Sequence, residues 1–338
     1  MLGSIAAVAV VAALALFVGL DRLVAAFAAV RPPTLALLVG LAAAWLLAWG
    51  TTLFVVLRTL GQAVRLPGTV LVYTSVNFAN SVAPFAHLGA EPLAALFLSR
   101  GADVEYETSL AAVAGVDGLN LLPSGGFVLV GACYFALTRT LDPGVGLAAA
   151  LAVGLVVAVP VAGYVAYRHR RSVASRLGRV VVPVASRVCR LLPGVAPPTE
   201  AGVRADVEGF FAGLARLAGD RRRVAVGLGL STVGWGLLAA ALWVAVAAVA
   251  RPVPVSVVLF VVPLSLVAVV TPLPGGAGGV EAAIALLLAS LTGLSTVDAT
   301  ASAFLYRGVT WALPVLVGGA VTAATRTRQP RRREGEAQ

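Results

Sequence analysis

Uncharged apolar runs dominate the chain, and no other feature limits its fold as strongly. Runs at 4–20, 34–57, 144–167 and 224–249 contain no charged residue. Comparable runs at 110–137 and 300–324 contain one each, Asp117 and Arg307. Hydrocarbon about 30 Å thick is crossed by roughly 20 residues of α-helix. Within lipid the backbone must satisfy its own hydrogen bonds, which a helix does. Charged residues make up 12% of the chain, against about 25% in soluble domains. A water-soluble fold would leave large apolar patches exposed. The fold class is therefore all-α, a polytopic helical membrane protein of about six full spans, and soluble-enzyme classes are excluded.

Two more apolar stretches are interrupted. Residues 70–98 contain Asn77, Asn80, Pro84, His87, Gly89, Glu91 and Pro92; residues 254–291 contain Pro254, Pro263, Pro272, Pro274 and glycines up to Gly279. Proline removes a backbone donor and glycine loosens a helix. Each stretch is expected to form two short helices about a turn, re-entering the membrane instead of crossing it. Such non-helical backbone is tolerated where protein or a water-filled cavity surrounds it.

Charge placement gives the orientation. Residues 168–223 hold twelve Arg against four acids, and residues 325–338 hold five Arg against two. With both segments cytoplasmic, 20 of the 25 Arg lie inside and four, Arg22, Arg31, Arg139 and Arg251, lie outside. That bias obeys the positive-inside rule with both termini cytoplasmic, in the cell (plasma) membrane. The net charge of +10 thus reports topology and attraction to anionic lipid, and nucleic acid is not an expected partner. In the basic loop, 171–192 and 203–217 show apolar residues at near-helical spacing between Arg. These are either helices lying in the headgroup plane or a solvated basic linker. Cys133 and Cys189 have no metal-ligand or disulfide spacing, and no cofactor is expected.

An internal repeat organises the membrane region. Pro84-x4-Gly89-x-Glu91 recurs as Pro274-x4-Gly279-x-Glu281, and Glu91 precedes Asp117 by 26 residues just as Glu281 precedes Arg307. The halves, 34–137 and 224–324, are joined by the span 144–167 and the loop 168–223; residues 325–338 form a tail. On the Arg count the halves are inverted, a design that recurs in secondary transporters with broken helices at the midplane.

Four ionisable residues are committed to this region: Glu91, Asp117, Glu281 and Arg307. Charges in hydrocarbon are costly and usually face a cavity or each other. Asp117 and Arg307, at equivalent positions, are expected either to pair across the halves or to serve a ligand, Arg307 holding an anionic headgroup that Asp117 tunes. Glu91 and Glu281 are either helix-start acids or part of a ligand site at half-helix amino termini, approached closely through Gly89, Gly275, Gly276 and Gly279. His87 is either a structural hydrogen-bonding residue or a member of the same cavity. Asp103, Glu105 and Glu107 read as helix-start acids; a metal site for sugar-nucleotide chemistry is the weaker reading, and no metal is expected.

The segment running from Thr271-Pro-Leu-Pro-Gly-Gly to Gly319 resembles the lysylphosphatidylglycerol synthase transmembrane-region, or flippase-like, family. Its motif falls on Pro274, Gly275, Gly276, Glu281, Gly293 and Arg307. Pro84, Gly89 and Glu91 resemble the family's first segment with Ala90 inserted. Ala114-Gly115-Val116 stand before Asp117 where the family often carries Glu-Arg. The resemblance implies a lipid-handling module over residues 1–324, here without a fused aminoacyl-transferase or glycosyltransferase domain. A lipid translocase moving or presenting an anionic lipid headgroup is the leading expectation. The alternatives are a membrane-embedded transferase or an accessory subunit for a separate soluble transferase; an oligomer is compatible with all three.

Overall fold

The computed structural model describes residues 30–82, 91–138, 143–176, 179, 182, 199–266, 268 and 276–327. Ten helices account for nearly all of them, and no strand occurs among the described residues. In chain order they are α1 (Pro32–Thr59), α2 (Leu66–Val82), α3 (Glu91–Ala102), α4 (Tyr106–Thr138), α5 (Pro143–Arg168), α6 (Glu200–Gly219), α7 (Arg221–Val249), α8 (Val255–Ser265), α9 (Gly279–Thr292) and α10 (Thr296–Thr327). Five of these, α1, α4, α5, α7 and α10, are long and apolar enough to cross a membrane. The expected span at 4–20 lies outside the described residues.

Each interrupted stretch forms two short helices, α2 with α3 and α8 with α9. The tips between them, including His87 and Gly89 in the first and Pro274 and Gly275 in the second, lie outside the described residues. The order long, short, short, long therefore occurs twice, as α1–α4 and as α7–α10. Exchanging the two sets leaves the pairing of these eight helices unchanged: α1 packs on α7, α2 on α10 and α4 on α8. The first helices of the two sets run antiparallel. Arg58 near the end of α1 accepts from Arg223 at the start of α7, while Trp49 donates to Ser231 farther along.

Helices in lipid gain nothing from hiding apolar surface from each other, so close packing must hold them together. The main core is built where α1 crosses α7 and where α8 packs on α4, α7 and α9. Trp45, Trp49 and Trp235 form an edge-to-face series, with Trp49 and Trp235 centroids 5.3 Å apart. Gly234 lies directly under the Trp49 indole, where any Cβ would collide with Nε1. Gly318 of α10 does the same for the Thr74 carbonyl of α2. By contrast α5 leaves Leu147, Leu151, Val157, Val159, Val161 and Tyr164 exposed, as a face turned to lipid does.

The basic loop contributes an ordered element. Thr199 caps α6 by accepting from the Gly202 N–H at 3.0 Å, and Asp220 caps α7 by accepting from the Arg223 N–H at 3.0 Å. Helix α6 packs on α4, α7 and α1. Its apolar face is spent on protein: Leu217 sits against Gly115, and Phe211 meets Tyr167 at 6.2 Å. Arg216 donates to the Leu60 carbonyl at 3.4 Å. The chain end of α1, the start of α7 and the whole of α6 thus gather at one end of the bundle. Most of the other amphipathic run, 171–192, lies outside the described residues.

Candidate functional site

The second hairpin is built around its glycines. Gly276 and Gly278 have φ of 68° and 82°, a left-handed backbone that side chains disfavour. They turn the chain into α9, and Gly293 at φ 67° closes it, donating to the Ala289 carbonyl at 3.0 Å. Gly279 is the first residue of α9, and Glu281 occupies its first turn. The Glu281 Oε2 accepts from the Gly278 N–H at 2.7 Å. Its Oε1 accepts from the Arg307 Nε at 3.1 Å, and both side chains are largely buried, 8% and 16% exposed.

Arg307 thus has a partner that the sequence reading did not name. Arg307 bridges Glu281, within its own half. The reason is hairpin register. Glu281 lies eleven residues before Thr292, the last of α9, and Arg307 eleven residues after Thr296, the first of α10. Two packed antiparallel helices therefore bring them level, about 16 Å from the turn at roughly 1.5 Å per residue. The spacing of 26 residues is the signature of that register. It recurs in the first half, where Glu91 begins α3, Ala102 ends it, and Asp117 lies eleven residues beyond Tyr106. Position 91 is thereby level with position 117, a carboxylate in each place where the second half has an acid and a base.

Asp117 lines a cavity of about 370 Å³. Its walls come from α1 (Trp49, Leu53), α2 (Tyr73, Val76, Asn77, Asn80), α3 (Ala94, Leu98), α4 (Val113, Val116, Asp117, Asn120) and, from the other half, Trp235 of α7 and Leu266 after α8. Asn77 and Asn80, and likewise Asp117 and Asn120, stand three residues apart, so each pair shares one helix face. Asn120 is fixed from the opposite half: Ser231 Oγ donates to its Oδ1 at 2.6 Å, and Trp235 Nε1 donates to its carbonyl at 2.9 Å. Asn77 Nδ2 donates to the Tyr73 carbonyl at 3.0 Å.

Of the residues expected in the site, the structure therefore places Asp117 in the cavity, Glu281, Gly276 and Gly279 in the second hairpin, and Arg307 on α10 against Glu281. The Glu91 side chain, His87, Gly89 and Gly275 lie outside what is described. Sequence reasoning missed Tyr73, Asn120, Ser231, Trp49 and Trp235, and counted Asn77 and Asn80 only as marks of a broken helix. The available signal was the paired i,i+3 polar residues inside apolar runs. Among the described residues no group of His, Cys, Asp and Glu is arranged to hold a metal ion.

A comparison with curated proteins gives no match. The model of the lysylphosphatidylglycerol synthase TM region matches residues 4–318. With that match, on a bundle of apolar helices, the chain belongs to the lysylphosphatidylglycerol synthase TM-region family of membrane proteins.

Proposed function

We propose that this protein is a lipid translocase of the cytoplasmic membrane, in which a lipid headgroup passes through the cavity where the two halves meet. The observation that carries the reading is the cavity itself, which is lined by three carboxamides, a phenol and a carboxylate within a bundle of apolar helices. Polar groups at membrane depth are costly and mark ligand pathways. Support also comes from the antiparallel α1 and α7 and the matched helix pairs, since transporters with inverted repeats carry their sites at the junction of the halves. Both termini and the loop 168–223 are cytoplasmic in this proposal, and transferase chemistry belongs to a separate soluble enzyme that uses or supplies the lipid.

The test is purified protein in liposomes with tail-labelled phosphatidylglycerol, phosphatidylserine or phosphatidylcholine in the inner leaflet. The proposal expects faster appearance of at least one lipid outside than in protein-free liposomes. Equal rates with and without protein for every lipid would overturn it.

A further inference from the structure

We propose that the point where α5 leaves the membrane binds the phosphate of an anionic lipid, at a site separate from the central cavity and independent of translocation. Residues 144–167 carry no charge. That is about 36 Å of helix at roughly 1.5 Å per residue, enough to cross hydrocarbon about 30 Å thick. Arg168, the last residue of α5, therefore emerges at headgroup level. Tyr164 and Tyr167 precede it, as aromatic residues do at a membrane interface. There Arg168, His169, Arg170, Arg171 and Ser172 surround a hollow of about 270 Å³.

Three guanidiniums within four residues repel one another until an anion lies between them, and their forks match the oxygens of a phosphate. Arg170 is held in place. Its guanidinium lies 4.9 Å from the Tyr167 ring centroid and donates to the Tyr167 carbonyl at 3.2 Å, and Tyr167 meets Phe211 of α6. Arg168 and Arg171 make no ion pair among the described residues. The chain around them supplies no counter-charge: from Pro143 to Thr199 it has seven Arg and no Asp or Glu. On α6, Glu208 pairs with Arg204 at 3.1 Å and Asp206 stands beside Glu107, while Asp220 pairs with Arg223. The two acids of 325–338 stand among five Arg.

The helix face leading to the site makes the ligand a lipid and not a free phosphate. Val157, Val161, Tyr164, Val165 and Arg168 follow one another along one face of α5. The four before Arg168 are each at least half exposed. An acyl chain laid along that face brings its phosphate to Arg168, and basic pockets at this level suit anionic headgroups.

The test is thermal stabilisation of full-length, detergent-solubilised protein, which needs no lipid movement. The probes are dioleoyl-phosphatidylglycerol, dioleoyl-phosphatidylcholine and inorganic phosphate. Phosphatidylglycerol is expected to act at about tenfold lower concentration than phosphatidylcholine, and inorganic phosphate to have little effect. Arg168→Gln with Arg171→Gln should abolish that preference. Arg221→Gln with Arg222→Gln takes the same charge from the exposed start of α7 and should change the preference less than about threefold. Equal losses in the two variants would overturn the site, because net charge alone would then set the preference. Phosphatidylglycerol acting no better than phosphatidylcholine would overturn an anionic ligand, and inorganic phosphate acting as well as phosphatidylglycerol would overturn a lipid one. A second measurement needs no substitution. In liposomes, phosphatidylglycerol with a photoactivatable acyl chain should label α5 between Val157 and Val165 more heavily than the exposed Leu316 region of α10. Equal labelling of the two would also overturn the site.

Discussion

Glu281 and Arg307 meet at 3.1 Å across the α9–α10 hairpin, while the other Glu281 oxygen ties down the Gly278 N–H that starts α9. One carboxylate thus fixes both the turn into the helix and its packing on the next span. A buried pair is held at a desolvation cost, so loss of one partner is felt more than loss of both.

Glu281→Gln is therefore expected to cost about 3–5 kcal/mol by removing the carboxylate of a buried bridge, whereas Glu281→Gln with Arg307→Met should recover part of that. Thermal melting of the purified single and double variants measures the coupling. Additive losses would show that the bridge contributes nothing to stability.

Helix crossing at the core gives a second expectation. Gly234→Ala pushes a methyl into the Trp49 indole, and overpacking of this kind costs about 1–3 kcal/mol. Gly236→Ala, two residues on, faces open space and should be neutral or slightly stabilising. The difference between the two melting temperatures is the readout.

Much of this architecture is legible in the sequence, and the parts that are not have physical reasons. Apolar length marks α1, α4, α5, α7 and α10, and Pro and Gly mark the breaks between α2 and α3 and between α8 and α9. Pairing is harder to read than position. Opposite charges at equivalent repeat positions draw attention to Asp117 and Arg307, whereas the bridge from Arg307 to Glu281 follows from local hairpin register, which charge alone does not reveal. The cavity was legible only at Asp117. Trp49 and Trp235 look like core in any apolar run, and Asn120 acquires meaning only when Ser231, more than a hundred residues away, is seen to hold it.

Docking of α6 should respond to pH. Partial burial, and then the Glu107 carboxylate beside it, raise the Asp206 carboxyl above its ordinary value. A carboxyl raised in the folded state favours the protonated form there, so the docked helix is most stable below the ordinary Asp range. That stability is lost as pH rises through the raised value. Proteolysis within α6 should accelerate over that rise, and Asp206→Asn should flatten the dependence. An unchanged profile in the variant would assign the response elsewhere.

Opposite insertion of the halves makes a labelling prediction. Cysteines introduced at Ala102, where α3 ends, and at Thr292, where α9 ends, should react with impermeant reagents from the cytoplasmic and external sides respectively. Reaction of both from one side would contradict inverted halves.

The cavity as headgroup path is tested most directly by blocking it reversibly. In a Cys133→Ser, Cys189→Ser background, Asn80→Cys places a single thiol on the cavity wall. Attachment of a bulky disulfide-forming reagent is expected to stop lipid movement in liposomes, and a reductant to restore it. Complete modification with lipid movement unchanged would contradict the account.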